Sequence, residues 1–240
     1  VKQLRLQGSR VNTVQARVDV DMAGQQVSVV DIKATGVNAG GQKSDSVTLV
    51  ADGRTSAHAL RFSAQQDKRQ LTGRINAGLV DKRWSGALEE LQLTLSAEEA
   101  WTLQQPAKFV VGESQGELRA LCLSNAGANI CANGDWQSAK AWQLQLDAGQ
   151  LPLELVKPWL APGVQLDGVA GLRAQARADS GGITGSANLV LNPGSVMLDD
   201  GEETLLLTRF GESRVTANLQ NNILTGELSL PLEENGGISG

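Results

Sequence analysis

Tyrosine is absent, histidine occurs once, cysteine twice, and aromatic residues make up only 3 % of the 240-residue chain. Zinc sites need three or four Cys, His or carboxylate ligands, and acid–base chemistry near neutral pH leans on histidine, so most such sites and mechanisms are poorly supplied. No apolar run approaches the roughly 18 residues of a membrane-spanning helix. Twenty-one basic against 26 acidic residues leave a net charge of −5, which argues against a polyanion such as nucleic acid as the main partner. An apolar share of 41 % with 20 % charged residues excludes a disordered tail. The opening Val1-Lys2-Gln3-Leu4-Arg5-Leu6 holds neither a methionine nor a targeting segment, so the ends read as fragment boundaries.

What is present is alternation. Period two puts successive side chains on opposite faces of a strand, and it recurs along nearly the whole chain. Val14, Ala16, Val18, Val20 and Met22 alternate with Gln15, Arg17, Asp19 and Asp21; His58, Leu60, Phe62 and Ala64 enclose Arg61 and Ser63. Further runs are Ile75, Ala77, Leu79; Leu91, Leu93, Leu95; Trp142, Leu144, Leu146; Leu172, Ala174, Ala176, Ala178; Val215, Ala217, Leu219; and Leu228, Leu230, Leu232. Turn signals such as Ala51-Asp52-Gly53, Asn133-Gly134-Asp135, Ser180-Gly181-Gly182 and Asn192-Pro193-Gly194 fall between them, as antiparallel hairpins require. The fold class is all-β. Leu71-Thr72-Gly73, Ile183-Thr184-Gly185 and Leu224-Thr225-Gly226, with the looser Trp84-Ser85-Gly86 and Leu166-Asp167-Gly168, open strands at irregular intervals. Such a glycine is expected either to kink or bulge the strand or to serve as an ordinary turn residue.

Helix is scarce. Ser96-Ala97-Glu98-Glu99 is a capping box ahead of Ala100-Trp101-Thr102-Leu103 and predicts one or two turns ended before Pro106. Leu151-Pro152-Leu153 through Pro158-Trp159-Leu160 predicts a second short helix, started by Pro152 and stopped by Pro158 and Pro162. It is expected to cap one end of the sheet. The expected organisation is a first half over 1–150, a helix or cap over 151–164, and a second half over 165–240 of one continuous β-element.

Gly112-Glu113-Ser114-Gln115-Gly116 has the G-x-S-x-G form of a nucleophile elbow. The only histidine, His58, precedes it rather than follows, and no α/β pattern surrounds it, so a polar hairpin turn is the better reading and no enzyme is expected. His58 falls among apolar residues of its strand, where a hydrogen-bonded lining role is favoured over metal ligation or catalysis. Glu89-Glu90, Glu98-Glu99 and Asp199-Asp200-Gly201-Glu202-Glu203 lack the ligand spacing of a calcium loop and read as solvated turns or caps. Cofactors and metals are accordingly not expected. Cys122 and Cys131 flank a turn-like segment. A cross-strand disulfide fits and would contribute roughly 2–3 kcal/mol while implying an oxidising compartment; two reduced cysteines in a cytosolic protein are the alternative.

A sheet apolar on one face must cover it, and helices and aromatics are too few here to do so. A sandwich, a closed barrel, or a sheet folded into an aliphatic trough would each serve. Alternation alone leaves these open.

Residues 85–240 carry a resemblance. Leu91-Gln92-Leu93-Thr94-Leu95, then Trp101-Thr102-Leu103, Pro106-Ala107-Lys108-Phe109, Leu121-Cys122-Leu123 and Cys131-Ala132-Asn133-Gly134-Asp135-Trp136, are similar in order to the TamB family of the AsmA-like superfamily. So are Leu151-Pro152-Leu153, Lys157-Pro158-Trp159-Leu160 and Val164-Gln165-Leu166-Asp167-Gly168. Residues 1–84 share only the alternation and the Leu-Thr-Gly openings. The resemblance implies an elongated, curled antiparallel sheet, a β-taco-like trough with an apolar groove. It further implies the periplasmic region of an inner-membrane-anchored protein in a diderm bacterium, with the anchor and docking segments lying outside this fragment. Two roles are implied: conduction of phospholipid between the inner and outer membranes, or assembly of outer-membrane barrels and autotransporters with a TamA-type partner. The expected partners are thus acyl chains and, through other regions, that barrel. A groove of this kind is expected to be lined by Leu172, Ala174, Ala176, Leu189, Leu191, Val215, Ala217, Leu219, Leu228 and Leu230. A secreted β-sandwich adhesion domain, with a filled core, is the third alternative.

Overall fold

Alternation over stretches of ten or more residues, broken by Gly, Asn and Asp, leaves the chain little choice but to run back and forth. A computed structural model of the protein shows this; it describes residues 2–6, 9–21, 23–39, 42–96, 99–138, 140–199, 201–232 and 236–239. Val1, Met22, Ala97, Glu98 and Asp200, named above, lie outside the described residues. The fold is all-β and antiparallel, as expected, and divides into two units, Val1–Asn125 and Ala126–Gly240.

The first unit holds β1 (Lys2–Leu6), β2 (Ser9–Asp19), β3 (Ser28–Ala39), β4 (Gln42–Arg54), β5 (Ala57–Gln66), β6 (Arg69–Val80), β7 (Arg83–Thr94), β8 (Ala100–Leu103), β9 (Ala107–Val111) and β10 (Gly116–Asn125). Strands β1 to β7 pair in chain order. Next, β8 and β9 both pair with β7 and with β10, so they act as one strand interrupted at Gln104–Pro106. The helix expected over 96–103 is instead β8: Trp101 lies opposite Leu93 and Ala100 opposite Thr94. The reason is tertiary. As a strand the segment buries Trp101 to 4 % exposure against the sheet, which one isolated helical turn could not do.

Partners directly opposite in an antiparallel pair share a face, so register assigns the apolar side. It runs Val18–Val30–Ala51–Leu60–Ile75–Leu88–Ala107 in one row and Ala16–Ile32–Leu49–Phe62–Gly73–Leu91 in the next. Leu88 and Leu91 share that face although they lie three apart, because β7 bulges there: Arg74 faces Glu90 while Ile75 faces Leu88. The Glu89-Glu90 pair is thus a bulge with Glu90 in an outward ion pair to Arg74. The β2–β3 connection is fixed by Asp21, whose carboxylate accepts from the backbone N–H groups of Ala23, Gln25 and Gln26. Those bonds, that from Gln26 foremost, hold its pKa below the ordinary aspartate value.

The second unit holds β11 (Ala128–Ser138), β12 (Ala141–Pro152), the 3-10 helix Leu153–Trp159, β13 (Val164–Asp167), β14 (Val169–Asp179), β15 (Gly182–Leu191), β16 (Gly194–Asp199), β17 (Thr204–Phe210), β18 (Ser213–Gln220), β19 (Ile223–Leu232) and β20 (Gly236–Ser239). Its main sheet runs β11–β12–β14–β15–β18–β19–β20. A smaller set, β13–β16–β17, meets the main sheet through Phe210 opposite Leu232. The second helix candidate is present, as a 3-10 helix rather than an α-helix. With Pro152 before it and Pro158 inside it, a longer i→i−4 ladder cannot form.

Candidate functional site

The second unit presents one broad apolar face, with the buried Ser213 opposite Leu191 as a polar exception. Across β11, β12, β14, β15, β18 and β19, one row reads Gly134–Leu144–Ala176–Gly185–Leu219–Leu224 and the next Ala132–Leu146–Ala174–Ala187–Ala217–Gly226. A third reads Ile130–Ala148–Leu172–Leu189–Val215–Leu228. Leu191 lies opposite Ala170, and Leu230 follows Leu228 by two residues on the same strand. All ten residues expected to line a groove therefore fall on one face.

The reverse face is mainly polar, with Val190 and Ile223 as exceptions. The rows Gln143–Arg177–Thr184, Gln145–Gln175–Ser186–Asn218 and Asp147–Arg173–Asn188 are tied laterally by Arg177 Nε to Thr184 (3.2 Å), Gln175 Nε2 to Ser186 (3.2 Å) and Arg173 Nε to Asp147 (2.9 Å). Such a sheet has one wet side and one side that calls for a cover.

Among the described residues of this unit, the cover is supplied at one end only. There Leu153 from the 3-10 helix, Ala170 from β14 and Phe210 from β17 are buried together, with Leu151, Leu166, Leu189, Leu191, Val196, Leu230 and Leu232 against them. The β13–β16–β17 set and the helix thus fill the Leu189, Leu191 and Leu230 end of the face. Toward the other end Leu144 is 49 % exposed and Leu224 71 %. Between them lies a hollow of about 270 Å3, floored by Ala174, Ala176, Gly185, Ala187 and Ala217 and walled by Leu144, Leu146, Leu219 and Leu224. Of the ten expected residues, Ala174, Ala176, Ala217 and Leu219 line it. Leu144, Leu146, Ala187 and Leu224 were not among the ten, although the Trp142, Leu144, Leu146 alternation and the Leu224-Thr225-Gly226 opening were visible signals for three of them.

The recurring glycines explain why the face is shallow. Gly73, Gly86, Gly185 and Gly226 each stand within a strand on the apolar side, opposite Phe62, Ala77, Ala176 and Ala217. None has a positive φ, which among glycines of the five motifs is found at Gly168 alone. They are not turn residues, and a bulge follows only Gly86, at Glu89 three residues further along β7. Each removes a side chain from the inner surface.

Aromatics are used in the same sparing way. All three phenylalanines lie directly opposite a glycine: Phe62 and Gly73, Phe109 and Gly86, Phe210 and Gly194. A Cβ on Gly73 or Gly194 would fall on the opposing ring. The Phe62 and Phe210 rings therefore lie over glycine backbone.

In the first unit His58 accepts a hydrogen bond from Trp84 Nε1 at Nε2 (3.0 Å), and the two rings are nearly parallel, with Trp84 also against Phe109. It is a hydrogen-bonded lining residue, as its position in the alternation implied. The G-x-S-x-G segment forms the turn joining β9 to β10, with Gly112 N–H donating to the Gln115 carbonyl (2.7 Å) and Ser114 exposed. Asp199 accepts from Gly201 N–H and from Gln165 Nε2, both at 3.0 Å, and so braces a turn. Among the described residues no cysteine is a free thiol, and no helix is long and apolar enough to cross a membrane.

Comparison of the sequence with curated proteins and with solved structures returned no match in either. The sequence model described as "TamB, N-terminal domain" matches residues 1–240, including residues 1–84, where the likeness read directly from the sequence was one of style. The chain therefore belongs to the TamB family.

Proposed function

We propose that this chain is a segment of a periplasmic conduit for phospholipid, in which acyl chains rest on the apolar face of the sheet while head groups stay toward solvent. The carrying observation is the half-covered face of the second unit: a run of Ala and Gly walled by leucines, of which Leu144 and Leu224 are left exposed. Fully covering a leucine gains about 1.5–3 kcal/mol and each buried methylene about 0.8 kcal/mol. A chain of methylenes seated there would be held by contacts that specify no fixed position along the sheet, which suits sliding. The ten-residue lining, the division at 151–164, and the disulfide between Cys122 and Cys131, with the oxidising compartment it implies, belong to this reading. A TamA-type barrel would engage the protein through regions other than this chain.

The test is native mass spectrometry of the chain purified from the periplasm without detergent, alongside Ala176→Asp. Ala176 sits in the floor of the hollow, where a carboxylate would have to be desolvated beneath any bound chain. The expected result is co-purified phospholipid in the parent protein, lost in Ala176→Asp with an unchanged circular dichroism spectrum. A folded variant that keeps its lipid would sink the conduit reading. Lipid-free protein of both kinds, with outer-membrane barrel clients that misassemble in cells carrying the variant, would favour the assembly role instead.

A further inference from the structure

Among the described residues of the second unit, strand β17 leaves an apolar strand edge open. Along one side it pairs with β16, and β19 reaches it only at Phe210. Among the described residues, nothing pairs with the other edge of Thr204–Arg209. Natural edges are usually blunted with lysine or proline; this one reads Thr204-Leu205-Leu206-Leu207-Thr208, with the three leucines 44 %, 48 % and 54 % exposed.

The order of residues along that edge is self-complementary. Thr208 faces Val196 and Leu206 faces Met197, so Leu207 is an inserted bulge residue, and Leu205 and Thr208 lie on one face because their β16 partners, Leu198 and Val196, are two apart. Suppose two copies approach antiparallel about the Leu206–Leu207 peptide. Leu206 of each then meets Leu207 of the other, Leu205 meets Thr208, and Thr204 meets Arg209. The bulge is what brings the faces into agreement: it shifts the alternation by one residue at the centre of the pairing. Charge selects the same direction. Antiparallel approach sets the Glu202-Glu203 end of one copy beside Arg209 of the other, twice, whereas parallel approach would set like charges together.

We propose that β17 is a dimerisation edge to which a second copy of this chain adds as an antiparallel strand, closing a two-fold symmetric pair. The contact is isologous and therefore finite. It does not involve the lipid-facing hollow and stands independently of the conduit reading.

Sedimentation velocity of the chain across a wide concentration range tests it, with Leu206→Lys, Arg209→Glu, and Arg209→Glu combined with Glu202→Arg and Glu203→Arg. The expected result is a concentration-dependent dimer whose dissociation constant rises roughly tenfold or more in Leu206→Lys, since a lysine on an edge opposes strand addition. It should rise less in Arg209→Glu and return toward the parent value in the charge-swapped protein. Arg209 is exposed, so that series stays informative even if Leu206→Lys fails to fold. A parent chain that remains monomeric, a dimer indifferent to both single substitutions, or oligomers that grow without limit would each overturn the proposal.

Discussion

The two ends of the second unit's apolar face are built from the same kinds of residue on the same strands, yet one is a core and the other a hollow. At the filled end Leu191 and Leu230 are met by Leu153, Val196 and Phe210. Further along the same strands, no described residue of the unit covers Ala176, Ala187 and Ala217 in this way, and Leu144 and Leu224 stay exposed. Apolar alternation therefore states which face needs covering and not whether the chain covers it. The difference comes from the connections. After β12 the chain detours through the 3-10 helix and β13, and after β15 through β16 and β17, and those detours fold over one end only.

The sharpest way to break this comparison is to remove the cover. Phe210 is 4 % exposed at the centre of the filled end, and Phe210→Ala should cost about 3–5 kcal/mol, as large aromatic truncations in cores do. Hydrogen exchange of the β14 and β15 amides would read the loss as faster opening. Since Phe210 also lies over Gly194, its loss should loosen the β16–β17 pair as well. If exchange in β14 and β15 is unaltered, the detour is a lid without energetic weight and the filled end is not a core.

Much of this was legible in the sequence, and what was missed has identifiable causes. Fold class and the apolar face of β14, β15, β18 and β19 follow directly from period two, because nothing in those strands resets the count. At two of the places where the count is reset, Glu89 in β7 and Leu207 in β17, the sequence shows only two charged or three apolar residues in a row, and the bulge has to be seen. The segment ending in Trp101 carries local signals for a helix, yet tertiary pairing with Leu93 decides for a strand. That the hollow is open depends on which detours fold over which strands, information carried by no single residue pattern. The glycines are the middle case: their recurrence was visible, but their place on the inner face emerged only from register.

A second, smaller effect sharpens the role of those glycines. Phe62 lies over Gly73 in the first unit as Phe210 lies over Gly194 in the second, but it is only half-buried. Gly73→Ala would push the ring off the backbone and up into the apolar face, an overpacking strain of about 1–3 kcal/mol. Urea unfolding should report this as a lower midpoint with an unchanged slope. Adding Phe62→Leu should recover part of the loss, because the flexible side chain can vacate the space that the ring cannot. Failure to recover would mean that Gly73 is required by the strand pairing itself, beside the bulge in the facing strand β7, and not by the ring above it.

The smallest effect is the one that separates a hollow from an unfinished core. Leu224 is 71 % exposed at the rim, so Leu224→Ser should change stability by less than about 0.5 kcal/mol, the usual range for surface positions. The same substitution removes a wall of the hollow, and bound phospholipid per chain should fall while the urea midpoint holds. Stability and occupancy are thus expected to separate at the open end, whereas at the filled end a substitution such as Phe210→Ala moves stability first. If Leu224→Ser lowers the midpoint as steeply as a buried leucine would, the rim is covered in solution by the protein's own chain, and the two ends are alike after all.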